Sequence, residues 1–241
     1  MIEYGPLISR FGHLDGPALL APMLRDVFPG RLAVVSSFGA ESAVLLHMAA
    51  DIDRRVPVIF LQTGKLFPET LAYRDRLIEQ LGLDNVRSVT PDTAALARDD
   101  PDGTLHASNP DGCCHVRKVA PLDRALAGLQ AWVTGRKRFH GGARGHLATL
   151  EATGSRLKIN PLARWSRDDL ARYMEAHGLP PHPLEAQGFT SIGCAPCTKP
   201  TGPGAALRDG RWAGSPKTEC GIHWTHNGRP LRAAAAEGRG R

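Results

Sequence analysis

The sequence predicts an α/β protein, a mostly parallel β-sheet with helices on both faces. Three observations carry that reading. Short β-branched or apolar runs recur along the chain, at residues 31–37 (RLAVVSS), 56–61 (VPVIFL) and 86–89. The first two lead through a turn of small or polar residues into a stretch with helical spacing, and 86–89 is followed by a short helix at 94–98,. Strands alternating with helices give a parallel sheet with both faces covered. A chain of 241 residues suits one such domain and can bury its core without staples,. The opening MIEYGPLISRFGHL has no apolar stretch behind a basic start, and no later window approaches a membrane span,. The expectation is a cytoplasmic protein with no membrane partner.

Taken in order, residues 1–30 hold Pro, Gly and short apolar pieces such as Leu19 and Leu20, and read as a helical lead-in over part of the core. Residues 31–37 form the first strand and 41–51 (ESAVLLHMAAD) the helix after it, with Val44 above Met48 and Leu45 above Ala49,. The turn between them, residues 36–42 (SSFGAES), puts small residues and backbone N–H groups at a helix N-terminus, where an anion is stabilised,. Turns of this kind also occur with no ligand. Residues 56–61 make a second, buried strand, followed by the turn Gln62-Thr63-Gly64 and a helix from Pro68 to the stop at Gly82,. Residues 86–89 are a third strand, 94–98 a short helix and 99–112 a turn-rich stretch. Ligands on such sheets bind beyond the carboxyl ends of strands, where both turns lie. Residues 113–128 (CCHVRKVAPLDRALAG) read as a helix that Pro121 kinks or interrupts by a turn, with Lys118 on the face of Cys114,. Residues 131–135 (AWVTG) are a further strand running into the basic loop 136–144. That loop is either a polyanion site of guanidinium forks or a solvated surface. Residues 157–160 form a short strand, Ser166 and Asp169 cap a helix that runs through His177, and 178–188, around His182, is a loop,.

Five cysteines, two of them adjacent, make a poor disulfide framework and point to metal,. Cys113 pairs with Cys114 in sequence, and Cys194 with Cys197 in the C-x-x-C of SIGCAPCT. The latter lies between loops, which argues against a thioredoxin-like redox motif. Adjacent helical residues point about 100° apart, cramped for one tetrahedral ion and suited to a larger group. The set fits zinc or a 4Fe-4S cluster, and the tandem pair favours iron. Cys220 is left as the candidate nucleophile. Lys217 and His223 flank it, and a cationic setting favours the attacking thiolate,. The net charge of +6 admits nucleic acid or an anionic small substrate,. Part of it comes from the tail NGRPLRAAAAEGRGR, which cannot pack a core,. With no aromatic stacking surface evident, nucleic acid is the weaker reading.

SSFGAES, LQTGKLFPET, CCHVRKVAPL, TGRKRF, the SIGCAPC knuckle and ECGIH, in that order, resemble the assimilatory sulfonucleotide reductases, specifically the iron-sulfur adenylylsulfate (APS) reductase branch. The resemblance runs from about Arg31 to His223. It implies an ATP-pyrophosphatase-like nucleotide-binding domain over 1–200, a mobile C-terminal lid at 201–223 and a disordered tail at 224–241. It further implies that Ser36, Ser37 and Gly39 face the phosphosulfate or ribose, and Leu61 and Thr63 the nucleoside. Gly135, Arg138 and Arg144 would belong to the nucleotide loop, and Lys118, Arg208, Arg211 and His223 would surround the sulfate. Cys113, Cys114, Cys194 and Cys197 would hold one 4Fe-4S cluster, and Cys220 would be the nucleophile. The implied activity is reduction of APS to sulfite and AMP through an S-sulfocysteine, in sulfate assimilation and cysteine biosynthesis. Thioredoxin or a glutaredoxin-like dithiol would be the donor, and assembly of identical chains stays open. Two positions depart from the family: Gln62 stands where Asp is usual, and His140 where Gln is usual. The rival expectations are a reductase of the 3'-phosphorylated substrate (PAPS), an ATP-using adenylating protein and a zinc-stabilised nucleic-acid-binding module.

Overall fold

Successive residues of a buried strand face opposite ways, and in this chain the two directions lead to two cores. The computed structural model describes residues 3–222; the expectations for His223 and for 224–241 lie outside the described residues. The described strands are β1 (Leu32–Ser36), β2 (Val58–Leu61), β3 (Val86–Val89), β4 (Ala131–Thr134), β5 (Leu150–Thr153) and β6 (Arg156–Ile159). They form one six-stranded sheet in the order β3-β2-β1-β4-β6-β5, with every pairing parallel except β5 with β6. The helices are α1 (Gly5–Phe11), α2 (Gly16–Pro22), α3 (Ser42–Ile52), α4 (Pro68–Leu81), α5 (Thr93–Asp99), α6 (Leu105–Ser108), α7 (Pro110–Cys114), α8 (Ala120–Ala125) and α9 (Arg167–Ala176).

Leu32, Val34, Val58, Phe60, Ala131 and Val133 turn to the larger core, where Phe11, Leu19, Leu46, Leu77 and Leu170 of the helices meet them. Ala33, Ile59, Leu61 and Trp132 turn the other way, onto Leu122 and Leu126. Each large apolar side chain so buried stabilises the fold by about 1.5–3 kcal/mol relative to exposure. Register between β1 and its neighbours (Val34 beside Val58 and beside Val133) keeps the alternation in phase across the sheet,.

Local signals set the helix ends. Pro68 opens α4, where a missing N–H costs little, and Gly82 closes it with φ of 59°, a left-handed conformation that glycine adopts without steric cost,. Ser166 and Asp169 exchange side-chain and backbone hydrogen bonds in a full capping box at the start of α9,. The segment expected to kink at Pro121 takes another form. Between α7 and α8 the chain widens into a π turn over His115–Val119, with the Ala120 N–H bonded to the His115 carbonyl. Pro121 then falls in the first turn of α8, where its missing donor does least harm,. Strand β5 and the short α6 are additions to the sequence reading.

After β1 the chain moves outward through β2 and β3, then returns to place β4 on the other side of β1. The crevice at the carboxyl ends of β1 and β4 is thus a topological switch point, where open sheets bind ligands.

Candidate active site

Four segments converge on that crevice. The loop after β1 begins with Ser36, whose Oγ accepts from the Phe38 N–H at 3.2 Å. Phe38 has φ of 48°, rare for a bulky residue, and is held there by full burial edge-on to Phe60, ring centroids 5.3 Å apart,. The loop closes on α3 through a Ser42 N–H to Gly39 carbonyl bond of 3.0 Å. The turn after β2 carries Thr63, whose Oγ accepts from the Lys65 N–H at 3.2 Å and lies 3.4 Å from Cys194 Sγ. Gln62, where the family usually has Asp, turns its side-chain oxygen back to the Gly64 N–H at 3.4 Å, so this residue shapes its own turn,.

The third segment is the basic loop after β4, and it is not a solvated surface. Arg136, Lys137 and Arg144 are buried and each has a carboxylate: Arg136 meets Glu151, Lys137 meets Glu41, and Arg144 meets Glu219. His140 joins them. Arg144 Nη1 can only donate, so His140 Nδ1 accepts from it at 3.1 Å; Nε2 then carries the proton and donates to Glu41 at 3.2 Å,. Burial, with Lys137 and Arg144 nearby, lowers the His140 pKa despite Glu41 and keeps the ring neutral. Burial alone would raise the Glu41 pKa; Lys137 and His140 overcome it and bring the carboxylate down to about 2.

The fourth is the C-terminal segment, 201–222, which lies across the crevice. A bridge between Thr198 and Arg211 anchors its base. Glu219 binds Arg144 through both oxygens, at 2.5 and 2.8 Å, and Arg208 reaches the Thr218 carbonyl at 2.8 Å and Glu219 at 3.3 Å. Arg211 lies against Gly193, where any Cβ would stand 2.2 Å from the guanidinium, so the glycine makes room for the arginine.

The resulting cavity, about 200 Å³, is lined by ten of the residues expected to bind substrate: Ser36, Ser37, Gly39, Leu61, Thr63, Lys118, Gly135, Arg144, Arg208 and Arg211, together with Cys220. Arg138 is not brought to it. That side chain is exposed and donates to the Leu147 carbonyl at 2.8 Å.

Cys113, Cys114, Cys194 and Cys197 line a second, adjoining cavity with Lys118, Arg117, Arg211 and Trp212. Burial raises the Cys114 thiol to about 12. Cys194 goes the other way: burial opposes ionisation, but Lys118, the Thr63 hydroxyl and Arg211 outweigh it and lower the pKa. Lys118 faces both cavities. Desolvation of this half-buried side chain would discharge it, but Cys194, Cys220 and Cys114 outweigh that and hold the ammonium charged. Arg117 ties the two sites together. It bonds Asp100 through Nη2 at 2.5 Å and Nε at 3.0 Å, and donates Nη1 to the Thr63 carbonyl at 2.8 Å. Among the described residues no three His, Cys, Asp or Glu side chains converge closely enough for a single metal ion.

The sequence reading missed Glu41, Lys137, Glu219 and Arg117. A carboxylate at the end of an anion-binding loop and another beside the candidate nucleophile were visible, but without the fold nothing paired them with cations.

Fold and site together define a class: an α/β protein with a cation-lined crevice at its switch point and a thiol-lined cavity beside it. The chain belongs to the phosphoadenosine phosphosulfate reductase domain family, whose model matches residues 31–200. It is 56% identical to the adenosine 5'-phosphosulfate reductase of Mesorhizobium japonicum over 90% of this chain and 85% of that one. It is 50% identical to the adenosine 5'-phosphosulfate reductase of Chelativorans sp. (92% and 91%) and 41% identical to the phosphoadenosine 5'-phosphosulfate reductase of Gloeobacter violaceus (90% and 92%). Among solved structures it resembles the phosphoadenylyl-sulfate reductase of Candida auris, with a TM-score of 0.69 at 24% identity over 83% of this chain and 99% of that one. It also resembles yeast FAD synthetase, with a TM-score of 0.54 at 17% identity over 83% and 70%. Those two likenesses bear out the expected fold class. Among the described residues no helix is long and apolar enough to cross a membrane.

Proposed function

We propose that this chain reduces adenylylsulfate to sulfite and AMP in sulfate assimilation and cysteine biosynthesis, with Cys220 as the nucleophile. One observation carries the reading. The single thiol outside the four-cysteine cavity lines the same crevice as the Ser36–Gly39 loop, Lys118 and the arginines at 144, 208 and 211. The names of the relatives at 56% and 50% identity support the choice of adenylylsulfate.

The residues supply the steps. The Cys220 thiolate attacks the sulfur of the phosphosulfate; the S–O bond to the phosphate breaks, and AMP leaves with the electron pair. Lys118 and the arginines stabilise the negative charge on the substrate and on the departing phosphate. Cys220 then carries a sulfonate as S-sulfocysteine. An external dithiol of the thioredoxin or glutaredoxin kind attacks Cys220 Sγ, and sulfite departs with that electron pair. The donor's second thiol breaks the mixed disulfide and restores Cys220, so the dithiol provides both electrons. Such donors are kept reduced in the cytoplasm, where we place the reaction. Residues 201–222 act as the lid that carries Cys220 to the substrate, over the domain at 1–200.

Cys113, Cys114, Cys194 and Cys197 are the proposed ligands of one 4Fe-4S cluster. The fit rests on the chemistry of the donor set: four thiols line one cavity,. Bound there, the group would add fixed negative charge across Lys118 from the crevice.

The test is mass spectrometry of anaerobically purified protein after incubation with adenylylsulfate and no dithiol. A sulfonate on the Cys220 peptide, released as sulfite by reduced thioredoxin, is the expected result. Iron-loaded protein that gains no adduct overturns the reading for adenylylsulfate. The same incubation with the 3'-phosphorylated nucleotide tests the substrate named for the Gloeobacter relative.

A further inference from the structure

The residue before the nucleophile makes a bidentate ion pair in the crevice. Both oxygens of Glu219 engage the fork of Arg144, at 2.5 and 2.8 Å, and Arg208 approaches the second oxygen at 3.3 Å. Side chains of Glu219 and Arg144 are each only 11% exposed. A planar fork taking two oxygens of one anion, with a second guanidinium closing on it, is how arginines bind phosphate and sulfate. Here a carboxylate from the chain itself fills that arrangement.

The far side of Arg144 is already committed. Its Nη1 donates to His140, which donates to Glu41, which in turn accepts from Lys137. This chain of contacts fixes the guanidinium with its remaining donors facing the crevice. Arg208 is fixed too, by the Thr218 carbonyl. Two anions cannot share one such set of donors, because like charges at that separation repel and each would lose half its partners.

We propose that Glu219 is an exchangeable stand-in for the anion of the substrate. Its carboxylate neutralises Arg144 and Arg208 while the crevice lacks a ligand and latches the segment bearing Cys220 across the opening. An incoming phosphosulfate takes over the two guanidinium groups and expels the carboxylate. Release of Glu219 then frees Cys220, its immediate neighbour in the chain, to move onto the sulfur. The inference rests on the reading that this crevice binds an anionic nucleotide. Glu219 acts as a positioning residue and as an internal competitor, so removing its charge improves anion binding, which loss of a purely structural contact does not do.

The experiment is calorimetric titration of AMP and, separately, of sodium sulfate into the holoprotein and its Glu219→Gln variant. Neither probe needs thiol chemistry. Glu219→Gln should bind AMP about tenfold tighter, the weight of one charge-assisted contact. Glu219→Asp retains the competitor and should stay near the parent affinity. Equal or weaker binding by a folded Glu219→Gln protein overturns the proposal. A second measurement needs no variant: iodoacetamide labelling of Cys220 in the unaltered protein should accelerate in sodium sulfate relative to sodium chloride of equal ionic strength, and an unchanged or slower rate overturns it. If adenylylsulfate leaves no sulfonate on Cys220 while the sulfate results hold, the proposed reaction fails and the latch stands. If the sulfonate forms while both sulfate results fail, the latch alone falls.

Discussion

Arg117→Leu is the substitution whose cost can be worked most directly from the structure. Arg117 holds Asp100, whose side chain is 1% exposed, through contacts of 2.5 and 3.0 Å. Removing the guanidinium strands a buried carboxylate, which costs about 3–5 kcal/mol. On a chain of this size each kcal/mol moves Tm by roughly 2–4 °C, so Tm should fall by roughly 6–20 °C. Asp100 Oδ1 also accepts the Leu105 N–H at 2.8 Å, a bond that asparagine can keep. Asp100→Asn combined with Arg117→Leu should therefore recover much of the loss, because the uncompensated charge is gone. The single variant also releases the Thr63 carbonyl, and nucleotide binding should weaken with it. Thermal unfolding of the parent, both singles and the double makes the comparison. A loss below about 1 kcal/mol in Arg117→Leu, or a double variant no more stable than that single, would refute the reasoning.

Gly193→Ala should leave Tm nearly unchanged while KM for adenylylsulfate rises about tenfold, since the new Cβ displaces only the flexible end of Arg211,; an unchanged KM would contradict the placement of Arg211 at the ligand. Cys114→Ser should lose iron and brown colour on anaerobic purification while far-ultraviolet circular dichroism is kept, and a full iron content would remove Cys114 from the ligand set. His182, buried between Thr70 Oγ1 and the Leu184 N–H, has its pKa pushed by burial from 6.5 to about 4. The unfolded chain takes up that proton first, so stability should decline as pH falls from 6.5 to about 4 and level off below. Urea unfolding across that range should show a shallower decline for His182→Gln, and an identical slope would exclude His182 as the source.

The parallel strands were legible because buried parallel strands are continuous apolar runs, and Val86–Val89 and the capping box at Ser166 were read to the residue. Strand β5 escaped because Leu150–Thr153 is the antiparallel edge strand of the sheet with mixed polarity, and Glu151 serves Arg136. Pro121 misled for a physical reason: a proline disrupts an α-helix only if the preceding turn is regular, and here it is not. Of the site, the residues carried by local motifs came together in the crevice. The basic loop could not be resolved from sequence, since what separates buried Lys137 from exposed Arg138 is Glu41, 96 positions away. The same distance effect hid Glu219, whose partner Arg144 is 75 positions earlier.

The wide turn at His115–Val119 has a further consequence. One rod must satisfy two appointments: Leu122 and Leu126 against the back of the sheet, and Cys113, Cys114 and Lys118 around the second cavity. A regular α-helix advances by 100° per residue, so those two sets have a fixed angular phase in any uninterrupted α-helix. The π turn inserts an extra residue and resets that phase. Wound as a regular α-helix with the same number of residues, the segment would keep Leu122 and Leu126 on the sheet and turn Cys113 and Cys114 about 100° away from the second cavity,. Over this stretch, spacing carries the chemistry more strictly than residue identity does.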